Sequence, residues 1–306
     1  MDKYLLLLSV RDSQFFYSIK NTENVSIYSI YRPLTIIERI VRKLMIKCGL
    51  SISCFYDSWK KDNNDYTKVI LEDGTLDDGI FDYLRIMYPN AQIIYWFRNS
   101  LDAVDYVRSK KLHIKHAMLC DRTLSFDQED ASKYGYEYIE NPYAIDDTLQ
   151  ESECKYDMIF LGSDKSRFQS IINLVKYTES IGWNNYIYIY SRTKEEDKYV
   201  KNSFVSYRDY LKLLKQSKVI LDLVDTSYQT GYSLRVFESL FYKKKLITNY
   251  QIIKDEQFYN PNNIFVLDPD NEETYQGLST FLSTEYQDIN QDYLKKYNFY
   301  DWIKRI

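Results

Sequence analysis

Arg235 and Glu238 stand three residues apart within the stretch KVILDLVDTSYQTGYSLRVFESLFYKKKLITNY, Lys218 to Tyr250. Three apart on a helix places them one turn from each other on the same side. Backbone N–H groups at a helix start, the positive end of its dipole and a guanidinium together favour a phosphate or diphosphate. A carboxylate one turn further in can accept hydrogen bonds from a ribose diol. An exposed ion pair on an ordinary helix accounts for the same two residues equally well. Just ahead of them, Thr230, Gly231, Tyr232 and Ser233 supply an N-cap and a close backbone approach. A second candidate is Gly162-Ser163-Asp164-Lys165-Ser166-Arg167, a glycine at a strand end followed by a helix start and two cations. That arrangement suits a diphosphate, and a plain strand–helix turn with solvated charges fits it as well.

Elsewhere the chemistry-bearing residues are sparse. His113 and His116 are the only histidines and lie in the lysine-rich SKKLHIKH, where a surface position is expected. Asp268-Pro269-Asp270 spells the acid-x-acid of a metal site by letters only, because a proline between the acids marks a turn. No metal site is expected there.

These residues need a scaffold of alternating strands and helices. Val219 to Val224 is an apolar run of strand length, Leu234, Phe237, Leu240 and Phe241 repeat at helical spacing, and Leu246 to Thr248 restarts a strand. Lys243 to Lys245 are expected in the last helical turn, where cations suit the dipole. Further strands are expected at Tyr4 to Val10, Val25 to Ile30, Lys68 to Leu71, Ala91 to Phe97, Met118 to Cys120, Leu124 to Phe126, Asp157 to Leu161, Tyr186 to Tyr190 and Ile264 to Leu267. Helices are expected over Pro33 to Gly49, Asp77 to Met87, Leu101 to Arg108, after the Gly162 to Arg167 loop through Lys176, and from Phe204 through Gln216. Such alternation implies parallel sheets with crossovers. Asn141 to Tyr156 is polar and suits a linker. The resulting division is 1–150, 151–290, and a C-terminal helix over 291–306.

Pro33 to Gly49 carries an apolar stripe of Ile36, Ile37, Ile40, Val41, Leu44 and Met45. Arg39, Arg42, Lys43 and Lys47 lie off that stripe against a single Glu38. Core packing with a solvated polar face is the commoner use of such a helix. A peripheral contact with an anionic membrane surface through 33–48 is the other.

From Ile93 to Thr248 the chain resembles a bacterial family of GT-B glycosyltransferases of lipopolysaccharide and capsular polysaccharide biosynthesis, with a CgeB-like C-terminal half. Four blocks carry the resemblance in order: YWFRN (Tyr95 to Asn99), SFDQEDASKYGYEYIENPY (Ser125 to Tyr143), FLGSDKSRF (Phe160 to Phe168), and the Gln-Thr-Gly helix ending in KKKLIT. The resemblance implies an α/β fold of two Rossmann-like domains whose parallel sheets face a central cleft. It implies a nucleotide-sugar donor on the C-terminal half, held by Gly162, Asp164, Lys165, Arg167, Thr230, Gly231, Tyr232, Ser233 and Arg235. Glu238 falls on the residue that binds the donor ribose, and Tyr207 lies near the base. The acid found eight residues earlier in many retaining members is Thr230 here. The acceptor, a glycan or lipid-linked glycan, enters from the N-terminal half, and the last helix braces that half through Trp302 and Ile303.

Glycosyl transfer requires neutralisation of the leaving diphosphate and, for inversion, a base at the acceptor hydroxyl. Cations and a helix start supply the first, so no cofactor and no metal are expected. Carboxylates at strand ends of the first sheet suit the second, with Asp73 and Asp12 the candidates beside Glu72. A sugar-nucleotide epimerase of the same layout and a non-catalytic nucleotide-sugar-binding protein are the rival readings. With no G-x-G-x-x-G, a dinucleotide-dependent dehydrogenase is disfavoured.

Composition agrees with this class. The 306 residues suffice for two domains. A net charge of −4 gives no global pull toward nucleic acid. Four scattered cysteines without a CxxC pair suit a reducing cytoplasm. No apolar run reaches the ~18 residues of a membrane span, and Tyr4 to Val10 is too short for a signal peptide. A cytoplasmic protein at the inner face of the plasma membrane is the expected setting.

Overall fold

The computed structural model describes residues 2–10, 14–75, 77–102, 109–163, 167–196, 198–225 and 229–306. The chain divides into two compact units: one up to Asn141 together with Ile303–Ile306, the other Pro142–Trp302.

The first unit is built on β1 (Tyr4–Leu8), β2 (Val25–Ser29), β3 (Lys68–Glu72), β4 (Gln92–Phe97), β5 (Arg122–Ser125) and β6 (Glu137–Tyr138). They form one sheet in the order β2-β1-β3-β4-β5-β6, parallel throughout. All five residues of β1, YLLLL, are buried, as a strand covered on both faces requires. The helices are α1 (Ile36–Lys47), α2 (Gly79–Met87), α3 (Lys110–Ala117) and α4 (Gln128–Tyr134). α1 starts at a capping box: the Glu38 N–H donates to Thr35 Oγ1 at 3.3 Å and the Thr35 N–H to Glu38 Oε2 at 2.8 Å. α4 is capped by Asp127, which accepts the N–H groups of Glu129 and Asp130 at 3.1 Å, and Gly135 ends it at φ 71°.

Tyrosine does much of the tying in this unit, which explains its abundance. The Tyr88 hydroxyl donates to the carbonyls of Trp59 and Asp62 at 3.0 and 3.1 Å, and the Trp59 indole N–H donates to Ile30 O at 2.9 Å. An aromatic body fills the core while its polar tip satisfies loop backbone. The last residues belong here: Arg305 Nη2 donates to Glu140 Oε2 at 2.5 Å, and Arg122 to the Ile306 carbonyl.

The second unit contains β7 (Tyr156–Ser163), α5 (Phe168–Ser180), β8 (Asn185–Tyr190), β9 (Val200–Lys201), α6 (Tyr207–Lys215), β10 (Ser217–Asp222), α7 (Leu234–Phe241), β11 (Lys245–Thr248), β12 (Ile264–Val266) and α8 (Leu278–Ser283). Its sheet runs β12-β11-β10-β7-β8-β9, again parallel. Counted within the unit this is the doubly wound 3-2-1-4-5-6 order, whose switch point lies between β7 and β10. Met158, Phe160, Ile171, Leu174, Val219, Leu221 and Ile247 fill its core.

Several expectations need correction. Of the apolar stripe of α1 only Met45 packs on the core: no residue of the helix is buried, and Ile36, Ile37, Ile40, Val41 and Leu44 are exposed. No strand forms at Met118 to Cys120, which turn out of α3. α7 stops at Phe241, so Lys243 to Lys245 lie beyond its last turn and Lys245 is a buried strand residue. Of the helix expected over Leu101 to Arg108, residues 103–108 lie outside the described residues. The C-terminal stretch forms short pieces, α9 (Gln291–Leu294) and α10 (Phe299–Trp302), rather than one helix.

Candidate functional site

The carboxyl ends of β7 and β10 flank the switch point of the second unit, where open α/β sheets bind ligands. β10 ends in Asp222, fully buried. Ser233 caps α7: its hydroxyl accepts the Arg235 N–H at 3.2 Å and donates to Asp222 Oδ2 at 2.7 Å. Arg235 then reaches back across the sheet edge. Its Nη2 donates to Leu161 O on β7 at 2.5 Å, its Nη1 lies 3.4 Å from Asp222 Oδ1, and its guanidinium covers the Phe160 ring at 5.0 Å. One arginine therefore joins the two strands that flank the switch point.

Arg167 joins them again. It donates to Leu223 O beyond β10 and, from Nη2, to Ser163 O at 3.4 Å, with its guanidinium 5.3 Å from the same Phe160 ring. Gly162 lies under both. A Cβ there would stand 2.5 Å from Arg235 Nη2 and, in ordinary contact, 3.5 Å from Arg167 Nη2, so the missing side chain is what lets the Arg235 guanidinium approach the strand end. Burial opposes the charge of Arg235, but Asp222, Tyr210 and Glu238 outweigh it and hold its pKa above the ordinary arginine value.

Glu238, one turn further along α7, is buried. Tyr207 donates to its Oε1 at 2.8 Å, and Tyr210 donates to its Oε2. The Tyr207 and Tyr143 hydroxyls are 3.1 Å apart. Burial pushes the Glu238 pKa up, against the pull of the Tyr210 bond, the Arg235 charge and the Tyr207 bond. The reading of Arg235 and Glu238 as an exposed ion pair is thus excluded: both face inward, Arg235 to Asp222 and Glu238 to tyrosines. Tyr207 is half-buried and meets Glu238 through its hydroxyl, with its ring centroid 5.7 Å from that of Tyr210.

The loop before α7 is pinned around Gly231. Tyr250 donates to Gly231 O at 2.7 Å, and Gln229 Nε2 donates to the same oxygen at 2.8 Å and to Tyr250 Oη at 3.0 Å. Tyr232 turns to Glu256, with 3.2 Å between its hydroxyl and Oε1. Thr230 sits half-buried between Gln229 and Gly231. Asp164 and Lys165 lie outside the described residues.

The first unit has its own charged network at strand ends. Glu72 accepts from the Ser9 N–H at 2.6 Å and the Ser9 hydroxyl at 2.8 Å, and pairs with Arg98. Arg98 also donates to Gln14 and covers the rings of Phe16 and Trp96 at 4.6 and 5.4 Å. Asp73 is buried and accepts the Arg98 N–H at Oδ2, 3.2 Å. Glu72 is thereby committed to holding Arg98. Asp73 is braced by backbone, a position a base can share. Asp12 lies outside the described residues.

Both histidines contradict the surface expectation. The segment after Ser109 is itself α3, and His113 and His116 are buried on it. His113 Nδ1 is 2.9 Å from the Tyr95 hydroxyl, and burial pulls its pKa down to about 4. His116 Nε2 is 2.7 Å from Asp78 Oδ1, and burial lowers its pKa too. Lysines dominate the letters of this segment, but they alternate with an inward face that the eye misses. Asp268 Oδ1 accepts the Asp270 N–H at 3.1 Å, a turn as the proline requires.

Sequence reasoning passed over Asp222, Tyr210 and Arg98. Asp222 carried a usable signal: a single acid within the apolar VILDLV, at the carboxyl end of a strand. Tyr210 follows Tyr207 by one helical turn. Arg98 was visible only as the residue after a strand.

No family model matches the chain, and no curated protein matches it. Among solved structures it is similar to an α-glucosyltransferase in complex with UDP and a 13-mer DNA containing a central A:G mismatch, with TM-score 0.61 and 11% identity, covering 100% of this chain and 98% of that one. It is also similar to the N-terminal domain of trehalose-6-phosphate phosphatase from Candida albicans, with TM-score 0.50 and 10% identity over 97% of this chain and 91% of that one. A third is the apo form of the lipopolysaccharide outer core galactosyltransferase WaaB, with TM-score 0.48 and 12% identity over 99% and 97% of the two chains. At such identities the likeness is one of fold. The chain is α/β with two six-stranded parallel sheets, in the manner of GT-B glycosyltransferases.

Proposed function

We propose that the protein is a nucleotide-sugar-dependent glycosyltransferase that binds its donor on the second unit. The observation that carries this reading is the pair Arg235 and Arg167, gathered over Gly162 at the switch point beside the capped start of α7. The two half-buried guanidiniums converge beside the buried Asp222, and burial raises the pKa of the neighbouring Glu238, a balance that favours an anion such as a diphosphate. In a site drained of water such preset charge stabilises a leaving diphosphate more than mobile solvent would. The same cations make a metal unnecessary, so transfer should survive a chelator. Glu238, one turn along α7 from Arg235, would take the ribose of the same donor. A ribose hydroxyl would replace the Tyr207 hydroxyl at Oε1 while Tyr210 keeps Oε2. The donor-binding set is completed by Asp164 and Lys165, and by the backbone of Thr230, Gly231, Tyr232 and Ser233.

On this reading the first unit receives the acceptor, with Asp73 or Asp12 taking its proton. The resemblance of the four sequence blocks favours a lipopolysaccharide or capsular glycan, built at the inner face of the plasma membrane. A peripheral contact through 33–48 would bring the enzyme to a lipid-linked acceptor.

Calorimetric titration with UDP-, GDP- and ADP-sugars tests the donor half. Arg235→Ala and Glu238→Ala should each weaken binding by about tenfold or more, since each removes a hydrogen bond to or from a charged group. Unchanged affinity in both variants would refute the site. Donor turnover without acceptor would instead point to the epimerase reading.

A further inference from the structure

The amphipathic helix α1 is mounted the wrong way round for a core helix. Met45 and Ile46, with Leu34 just before the helix, are the residues that pack on the first unit's core. The apolar stripe points the other way: Ile36 is 77% exposed, Ile37 73%, Ile40 54% and Leu44 56%. Leu50, after the Gly49 turn at φ 67°, is exposed as well. Helices normally bury such a stripe, and a continuous aliphatic surface left in water marks a contact site.

Charge identifies what the contact is with. Arg32, Arg39, Arg42, Lys43 and Lys47 surround the stripe against Glu38 alone, in a chain whose net charge is −4. That one acid is consumed: Glu38 accepts from Arg32 Nη2 at 2.7 Å and closes the cap with Thr35. Arg42 stacks its guanidinium on Tyr31 at 4.1 Å, which leaves Arg39, Lys43 and Lys47 as the exposed cationic edge. We propose that α1 is a docking surface for an anionic lipid bilayer. The helix lies in the plane of the interface. Ile36, Ile37, Ile40, Val41 and Leu44 enter the acyl boundary, and Arg39, Lys43 and Lys47 meet lipid phosphates.

Two other occupants fit less well. Protein interfaces centre on aromatic residues and are poor in lysine, yet this stripe holds no aromatic residue in a chain that is 17% aromatic. A second copy docked isologously would set two cation-rich segments against each other. The proposal rests on α1 alone, so it can stand or fall apart from the donor site. If both hold, it assigns the acceptor side to a lipid surface.

The test is co-sedimentation of the full chain with phosphatidylglycerol vesicles and with phosphatidylcholine vesicles, at low and high salt. Binding to phosphatidylglycerol only, weakened by salt, is expected. Lys43→Glu should lower the partition by about tenfold or more, each charge contributing a several-fold factor. Ile40→Ser/Leu44→Ser should lower it by on the order of a hundredfold. Both variants alter exposed positions and should keep the parent melting temperature and the parent response to nucleotide sugars. No binding to phosphatidylglycerol, or binding that these variants leave unchanged, overturns the proposal. So does a solution dimer that the Ile40→Ser/Leu44→Ser variant dissolves, which would seat a second copy on the stripe.

Discussion

Gly162→Ala is the smallest change that tests how the proposed donor site is assembled. Its backbone is in a region alanine adopts freely, so any penalty is steric. The new Cβ would stand 2.5 Å from Arg235 Nη2, about 1 Å inside a comfortable contact. A free arginine would swing aside at little cost. This one is tethered on three sides: to Leu161 O at 2.5 Å, to Asp222 Oδ1 at 3.4 Å, and over the Phe160 ring. Moving it surrenders the Leu161 bond, of order 1.5–3 kcal/mol for a charged donor, and loosens the partner of a buried carboxylate. The expected loss is about 2–4 kcal/mol of stability. Arg235→Ala alone leaves Asp222 buried without its cation and should cost about 3–5 kcal/mol. In that background the clash no longer exists, so Gly162→Ala should then change stability by no more than about 0.5 kcal/mol. Urea unfolding of the four proteins closes a double-mutant cycle with a coupling of about 2–3 kcal/mol. A cycle that closes additively would refute the claim that Gly162 exists to seat Arg235, whatever the ligand.

Three further outcomes are expected. His113, held at about 4 by burial, stays neutral in the fold while it charges readily in the unfolded chain near 6.5. Its contribution is complete above pH 6.5 and is lost as pH falls toward 4, by at most about 3 kcal/mol; His113→Gln should flatten the stability profile in that window, as followed by urea midpoints. Tyr207→Phe removes the hydroxyl that competes for Glu238 Oε1, whereas Tyr210→Phe removes the one that orients the carboxylate. Titration should show donor affinity rising about threefold in the first and falling about tenfold in the second. Lys245 donates to the carbonyls of Phe281 and Thr284 and, at 2.8 Å, to Thr284 Oγ1. Lys245→Met leaves those acceptors at the end of α8 unmet and should cost about 2–4 kcal/mol in urea unfolding, with no effect on lipid binding.

The parts of this molecule that could be read from sequence are those fixed by short-range rules. Buried parallel strands such as YLLLL and QIIYWF leave unbroken apolar runs, and alternation with helices leaves one class of architecture. The helix start at Ser233 was legible because capping chemistry is local. What could not be read depends on partners far along the chain. Arg235 meets Leu161 across 74 residues, and Glu238 meets Tyr207 across 31. Spacing put Arg235 and Glu238 on one helix side but could not say that each turns to a different neighbour. For α1 the periodicity was legible and the direction of the stripe stayed open between core and surface, since a stripe has no preferred sign until its surroundings exist.

The two units invite a comparison that bears on which of them takes the donor. Each gathers charge at the carboxyl edge of a parallel sheet, and the balances differ in sign. Among the described residues, the second unit sets Arg235 and Arg167 against Asp222, with Glu238 pushed toward its neutral form by burial. The first pairs the Arg98 guanidinium with Glu72, and beside it Asp73 accepts the Arg98 backbone N–H. A diphosphate with its charges desolvated is favoured by the first of these balances and opposed by the second. A neutral hydroxyl about to lose a proton has the reverse preference, because a carboxylate-rich edge draws the proton and repels nothing. Arg98→Met tests this assignment: it leaves Glu72 buried without its guanidinium, so urea unfolding should show a loss of about 3–5 kcal/mol while nucleotide-sugar affinity at the second unit is untouched. If donor affinity fell with Arg98 instead, the charge balance would have assigned the wrong sheet.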